Sequence, residues 1–496
     1  RLWGKRLAKE PSPLAAQFTS GRDVRGIAAA DERLVPYDLL GSRAHVVMLA
    51  KQNIIPAREA RLLTKGLREI ETLWRKGRFP LDPAKEDVHS NIEASLVENY
   101  GMEAGGKVHT ARSRNDQIAL DMRLFLRDCA LEFVSSLLAL IETLLRRGEE
   151  EAGSTIPGYT HHQPAQVTTL GHIWLSFAES LARDVSRFQD WCSRFNESPL
   201  GAMTGYGSTF PIDRALTARL LAFEKPTESS LDPIQNRWEA EAELAFAIAA
   251  TMNHLSSLAE TLILFSMGEF GILRLDDAHS TGSSMMPQKR NPDTLEVIKS
   301  KTALAQGNLM SLLSIGKGLF LGYNRDTQWT KYLIMDLVDE CASTPGIMRE
   351  ILDSVAFDAE KAALLCRRGF IAAPDLVEEL VRAGGISFRR AKGVLEKAIK
   401  YSEEEGSETV SRPTFERAMR EEGLDSPMAA KLLGGSENPR RIVSRRRARG
   451  GPAPGVLSHH AGALKRSVED SRKWLERMMR QKAFSKALLE RMEKKI

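Results

Sequence analysis

The chain has 496 residues, 42% of them hydrophobic and 27% charged, the balance of a globular protein long enough for two or three domains. A net charge of +5 over that length is too weak to argue for nucleic acid and does not oppose an anionic substrate. Cys129, Cys192, Cys341 and Cys366 are scattered with no CxxC pair. They read as reduced thiols, and with no signal peptide and no unbroken apolar run the expectation is a cytoplasmic protein with no membrane partner.

Residues 1–110 read as a first, mostly helical region, its short helices parted by Pro36, Gly41, Pro56, Gly77 and the Pro80/Pro83 pair. The stretch 101–108 imitates a phosphate loop, but Val108 stands where a Ser or Thr is required and no strand precedes it. From 111 to 365 the pattern changes to long helices. Ile118, Met122, Phe125, Cys129, Phe133, Leu137, Leu140 and Leu144 share one face. Leu170, Trp174, Phe177, Leu181, Val185, Phe188, Cys192 and Phe195 share another. Leu244, Ile248, Thr251, Leu255, Leu258, Leu262 and Phe265 keep a 4-3-4-3 spacing, the pattern of coiled-coil packing. A fourth helix is expected from Pro292, with Asn291 as its cap, and a fifth over 331–355, bent at Pro345. Helices of this length need partners. The spacing therefore predicts an all-α subunit of three regions, with a central long-helix bundle broad enough to associate with other subunits. Residues 366–496 form the third region, small and helical, with amphipathic helices at 386–401 and from Ser467 onward. The basic run 439–452 between them reads as a solvated or anion-facing loop, since no aromatic residues are interleaved to stack bases.

Three polar motifs stand before the starts of the long helices. Ser280-Thr-Gly-Ser-Ser-Met-Met-Pro-Gln-Lys-Arg-Asn-Pro-Asp293 is a small-residue loop that delivers serines and a lysine to a helix N-terminus, a natural seat for a carboxylate. His109-Thr-Ala-Arg-Ser-Arg-Asn-Asp-Gln117 packs two guanidiniums, two hydroxyls and an amide into one loop. Its arginine forks suit carboxylates, and the bland alternative is a capping loop with Ser113 or Asn115 as the cap. Gly158-Tyr-Thr-His-His-Gln-Pro-Ala-Gln166 offers adjacent histidines. Neighbours on a chain point apart and no carboxylate or Cys completes a ligand set, so one working histidine is a better reading than a metal.

The first motif resembles the signature of the fumarase/aspartase superfamily, whose members eliminate across a succinyl unit to release fumarate. Within it the chain is most similar to the argininosuccinate lyase family, on 109–117, Met286-Pro-Gln-Lys289, Gly322-Tyr-Asn-Arg-Asp-Thr-Gln328 and Glu86-Asp-Val-His-Ser-Asn-Ile-Glu93. The resemblance implies reversible β-elimination of L-argininosuccinate to L-arginine and fumarate, in arginine biosynthesis. It implies no cofactor and no metal, and a homotetramer whose sites are each built from three chains. It assigns Ser283 as base, His161 as acid, Lys289 as the cation beside the base, and Glu296 as the carboxylate that orients the histidine. His162 is left structural. Ser20, Ser113, Arg114, Asn115, Thr160 and Asn291 match contacts to the succinyl half. Tyr323, Gln328 and Lys331 match those near the arginine half. Gln328-Trp-Thr-Lys331 lacks two acids usual there, and Arg237-Trp238 replaces a usual Arg-Asp pair. Both departures bear on the amine half. Two alternatives stand beside this reading. One is a lyase for another succinylated amine, adenylosuccinate-like or otherwise; the other is a non-catalytic, crystallin-like structural paralogue.

Overall fold

The computed structural model describes residues 12–14, 18, 29–424, 428–436 and 438–496. Ser20 lies outside the described residues. The protein is all-α, its strands confined to short pairs.

Helices α1 (Ala30–Lys51), α2 (Ala57–Arg75) and α3 (Val88–Tyr100) form the N-terminal part. Helix α4 (Arg114–Glu150) is 37 residues long, and α1, α5 (Leu170–Arg194) and two later helices pack around it. Its buried residues do not form one stripe. Leu120, Met122, Leu124, Phe125 and Leu126 point in every direction and all are covered, as a helix at the centre of a bundle requires. Phe133 of α4 stacks on Phe188 of α5, centroids 5.3 Å apart and planes 10° apart. Full burial of a ring of this size contributes about 1.5–3 kcal/mol.

Ser113 caps α4 through a capping box. Its side chain accepts from the Asn115 N–H at 3.3 Å, and the Asp116 carboxylate accepts the Ser113 N–H at 2.8 Å. Between α4 and α5 the chain makes an antiparallel hairpin, β1 (Thr155–Thr160) and β2 (Gln163–Thr169). Helices α6 (Glu239–Ser266) and α7 (Asp293–Ile315) then pack along each other. The fifth expected helix is two: α8 (Thr330–Cys341) and α9 (Thr344–Ser354), parted just before Pro345, which falls in the first turn of α9.

Helices α10 (Ala373–Gly384), α11 (Phe388–Glu404), α12 (Arg412–Glu421) and α13 (Met428–Ser436) enclose a separate core of Leu376, Leu380, Val394, Leu395, Phe415, Met419 and Leu432. The basic run is no free loop. It opens with α14 (Pro439–Arg445), and Arg446 reaches both the Asp375 carboxylate at 2.6 Å and the Val167 carbonyl at 2.7 Å. The last helix, α15 (Pro454–Glu493), starts well before Ser467 and lays Leu457, Ala461, Leu464, Val468 and Leu489 into the main core. Its end is locked to α1 by a buried fork, with Arg43 donating to Glu493 at 2.7 and 2.9 Å. No helix among the described residues is long and apolar enough to cross a membrane.

Candidate active site

A cleft of about 500 Å³ opens where the starts of α1, α3 and α4 meet the segment leading into α8. Of the residues singled out from the sequence, Arg114, Asn115, Tyr323, Gln328 and Lys331 line it. Asp31, Asp87, His89 and Arg237 line it too; sequence reasoning gave none of these a role. The signal for two of them was present in the segment 86–93. Asp87 caps α3 by accepting the Ser90 N–H at 2.7 Å, and His89 and Glu93 fall four apart on one face.

The cleft cations are mostly matched by acids of the same chain. Arg114 donates to Glu93 at 2.8 Å, stands 3.7 Å from Asp87, and touches His109 Nδ1 and Gln117 Oε1, each at 2.9 Å. Lys331 is buried and ion-paired with Asp31. Trp329 packs edge-on against Tyr332, centroids 5.2 Å apart.

Beneath the cleft lies a buried charge network drawn from three helices. His89 Nε2 meets Asp121 at 2.9 Å and stands 3.8 Å from Asp38. Gln117 donates to Asp38 at 3.2 Å, and the buried Arg112 donates to Ser42 at 2.8 Å. Burial opposes a charge on His89, but Asp38, Asp121 and Asp87 outweigh it and push its pKa up to about 10. Burial and the neighbouring Asp38 push the Asp121 carboxyl up to about 7 against the pull of His89. Asp38, His89 and Asp121 bring three ligand atoms within 4.8 Å of one another. His89 Nε2 is engaged by Asp121, and the Arg112 guanidinium acts on both carboxylates. The group is an ion network, with its cationic places filled by protein.

The other predicted residues stand outside the lining of this cleft. Ser113 is the α4 cap. Thr160 and His161 are at the tip of the hairpin, where the sequence had suggested only a loop leading into α5. The tip is a two-residue turn with φ of 53° at His161 and 60° at His162. Positive φ at both central positions is the type I′ turn that matches strand twist, and Asn-Gly is its preferred pair. Two exposed imidazoles there carry backbone strain.

The serine loop is pinned at its neck. Thr281 and Asn291 exchange backbone hydrogen bonds at 3.0 and 2.8 Å, and the Asn291 amide donates to the Gly282 carbonyl at 3.3 Å. Asn291 therefore does not cap α7; Pro292 takes that position and the helix begins at Asp293. Ser283 Oγ accepts the N–H groups of Met285 and Met286 at 3.3 and 3.0 Å. Lys289 and Glu296 are exposed. One chain thus holds three separate pieces: the cleft, the hairpin tip and the loop.

The profile of a lyase family matches residues 6–307. The chain is 40% identical to the argininosuccinate lyase of Pelotomaculum thermopropionicum over 92% of this chain and 96% of that protein. It is 42% identical to that of Symbiobacterium thermophilum over 82% and 86%. Among solved structures, EDDS lyase in complex with formate superposes with a TM-score of 0.88 at 26% identity, covering 99% of this chain and 97% of that one. Class II fumarase from Schistosoma mansoni shares the fold, with a TM-score of 0.68 at 16% identity over 88% and 95%. The chain is a carbon–nitrogen lyase of the fumarase/aspartase superfamily, and within it belongs to the argininosuccinate lyase family.

Proposed function

We propose that the protein cleaves L-argininosuccinate reversibly to L-arginine and fumarate, in the cytoplasm and in the service of arginine biosynthesis. The observation that carries this is the near-full-length likeness to argininosuccinate lyases at about 40% identity. The difficulty of the reaction is a proton on carbon beside a carboxylate, whose removal leaves a dianionic aci-carboxylate. Ser283 Oγ takes that proton, with Lys289 lowering the cost of the serine alkoxide and of the developing charge. The electron pair returns to form the double bond of fumarate as the C–N bond breaks, and His161, oriented by Glu296, protonates the departing nitrogen. Arg114, Asn115, Ser113, Thr160, Asn291 and Ser20 hold the succinyl half; Tyr323, Gln328 and Lys331 hold the amine half. The reaction needs no cofactor.

The site is assembled from three subunits of a homotetramer. Two features support this: neither the hairpin tip nor the serine loop lines the cleft of its own chain, and Phe246 of α6 and Leu304, Met310 and Leu313 of α7 are exposed on the long helices. The three-region division at about 110 and 365 belongs to the same proposal, the first region and the start of the second shaping the cleft.

Fumarate release from L-argininosuccinate, followed by absorbance, tests the reading. The wild type is active and Ser283→Ala loses at least about 100-fold, the scale of a general base. A wild type inactive on this substrate overturns the substrate assignment. The second reading then applies, a lyase for a different succinylated amine. It is favoured by the likeness to EDDS lyase and by Trp329 and Thr330 standing where acids are usual. An amine screen with fumarate, run in the addition direction, identifies that substrate.

A further inference from the structure

The hairpin that carries Thr160 and His161 is a two-stranded ribbon, and two strands need packing on other elements to hold still. Near the tip β1 has such packing, with the Tyr159 ring edge-on to Phe270, centroids 5.6 Å apart. The β2 side is held by the basic segment that follows α14. Leu170 donates to the Ser154 carbonyl at 2.8 Å. Alternation along an antiparallel ladder then puts Val167, which is paired with Pro157, between rungs, so its carbonyl faces away from β1. An edge carbonyl on a fully buried residue needs a donor. Arg446 is that donor, at 2.7 Å, and its other arm donates to Asp375 of α10 at 2.6 Å. The Val167 side chain closes a small apolar cluster with Cys366, Ile371, Ile442 and Val443.

A second grip comes from the same segment. His172, in the first turn of α5, meets the Gly450 carbonyl through Nε2 at 3.1 Å and Thr168 Oγ1 through Nδ1 at 2.9 Å. Nε2 must carry the proton to face a carbonyl, so Nδ1 accepts from the Thr168 hydroxyl of β2. Both grips belong to one tight turn. Gly450 has φ of 84°, and a Cβ at Gly451 would lie 2.4 Å from the Arg446 carbonyl, so the turn needs glycine at both places. At the tip, the positive φ of His161 and His162 makes a strained turn that is held only as firmly as the strands below it.

We propose that Arg446 is a positioning residue for the reaction: by bridging Asp375 and the edge carbonyl of Val167, and with His172 beside it, it makes the small C-terminal module the buttress of the hairpin and so sets where His161 stands when it protonates the departing nitrogen. This rests on the lyase reading above. Arg446 thereby serves an internal carboxylate and carbonyl rather than an outside anion.

The test is a double-mutant cycle on kcat for fumarate release from L-argininosuccinate, with the full chain. Arg446→Gln lowers kcat at least about tenfold, within the roughly 10²-fold that a misplacement of about 1 Å costs. Arg446→Lys, which keeps the charge but not the fork, recovers part of the loss. His161→Gln is slower than wild type by about 10²–10⁴-fold, the contribution of a general acid, and is followed at high enzyme concentration. In that background Arg446→Gln lowers kcat by less than about threefold, because the group it positions is already gone. Equal losses with and without His161 overturn the inference, since they mean that Arg446 supports the fold at large. Arg446→Gln with kcat within about threefold of wild type overturns it too. If Arg446→Gln does not assemble, His172→Ala, which removes the other grip at a half-buried position, is read in the same cycle by the same criteria. His161→Gln as fast as wild type removes the role of the tip, and the inference with it, and leaves the lyase reading standing. A wild type inactive on argininosuccinate overturns the lyase reading itself.

Discussion

Replacing His89 by Gln removes a buried cation from between Asp38, Asp121 and Asp87. Because burial opposes charge, the imidazolium is held by those carboxylates alone, with its pKa pushed up to about 10 against an ordinary value of 6.5. The sign follows from proton counting. Between pH 6.5 and 10 the folded protein keeps a proton that the unfolded chain has released. The stability this contributes is therefore complete below 6.5 and is lost as pH rises through 10. One proton corresponds to about 1.4 kcal/mol for each pH unit in that window. Loss of the cation at neutral pH leaves Asp121 and Asp38 facing only Arg112, and breaking a buried pair of this kind costs about 3–5 kcal/mol. The assay is urea unfolding at fixed protein concentration at pH 6.5, 7.5, 8.5 and 9.5, wild type against His89→Gln. The gap between the two is expected to be widest at pH 6.5 and to close steadily toward 9.5. Asp121, whose carboxyl is raised to about 7 against the pull of His89, rises further in His89→Gln, so the comparison is read above pH 7.5, where the wild-type carboxyl is ionised. Parallel curves refute the argument, because they mean that His89 is neutral in the fold.

Asp116 accepts three backbone N–H groups, from Ser113 at 2.8 Å and from Gly201 and Met203 at 2.9 Å each. Asp116→Ala leaves the Gly201 donor buried without a partner, at about 1–3 kcal/mol before relaxation, and the half-buried Ser113 and Met203 donors cost less. It should lower the urea midpoint and, by loosening the start of α4, raise KM for argininosuccinate. His162→Gly places at φ 60° the residue that the turn prefers. The hairpin should gain roughly 1 kcal/mol with turnover preserved, visible as a higher melting temperature; a drop in kcat would instead give His162 a part in the reaction.

The central helices were legible because their apolar stripes are long and regular; the predicted face of α6 is buried throughout, those of α4 and α5 nearly so, and α4 is covered on its other sides as well. The hairpin was not. Its 158–166 segment carries Gly158, Pro164 and adjacent histidines and has no apolar alternation, and its register shifts between Gly158 and Tyr159. The basic run was misread for a different reason. Arg445 and Arg446 look unpartnered in sequence, but their acids, Glu379 and Asp375, lie back along the chain beyond α11, α12 and α13, and only folding brings them together. The early start of α15 was hidden by Gly455 and Gly462, poor helix formers, although Leu457, Ala461, Leu464 and Val468 already kept a 4-3-4 spacing.

The cleft shows the same division between local and distant information. Motif resemblance located Arg114, Asn115 and Tyr323 because each sits in a contiguous, recognisable segment. Asp38, His89 and Asp121 come from three helices and carry meaning only together. This has a consequence for the proposed chemistry. Arg114 and Lys331 are each paired with an acid of their own chain, so neither offers the dianionic succinyl group an uncompensated positive charge. Lys289, the cation assigned to the base, is exposed on a loop outside the cleft lining. In the proposed homotetramer, it is the loop of another subunit that brings this lysine to the cleft for proton abstraction. On this reading assembly is part of the catalytic machinery, and dilution below the dissociation constant of the assembly should abolish turnover before it unfolds the subunit.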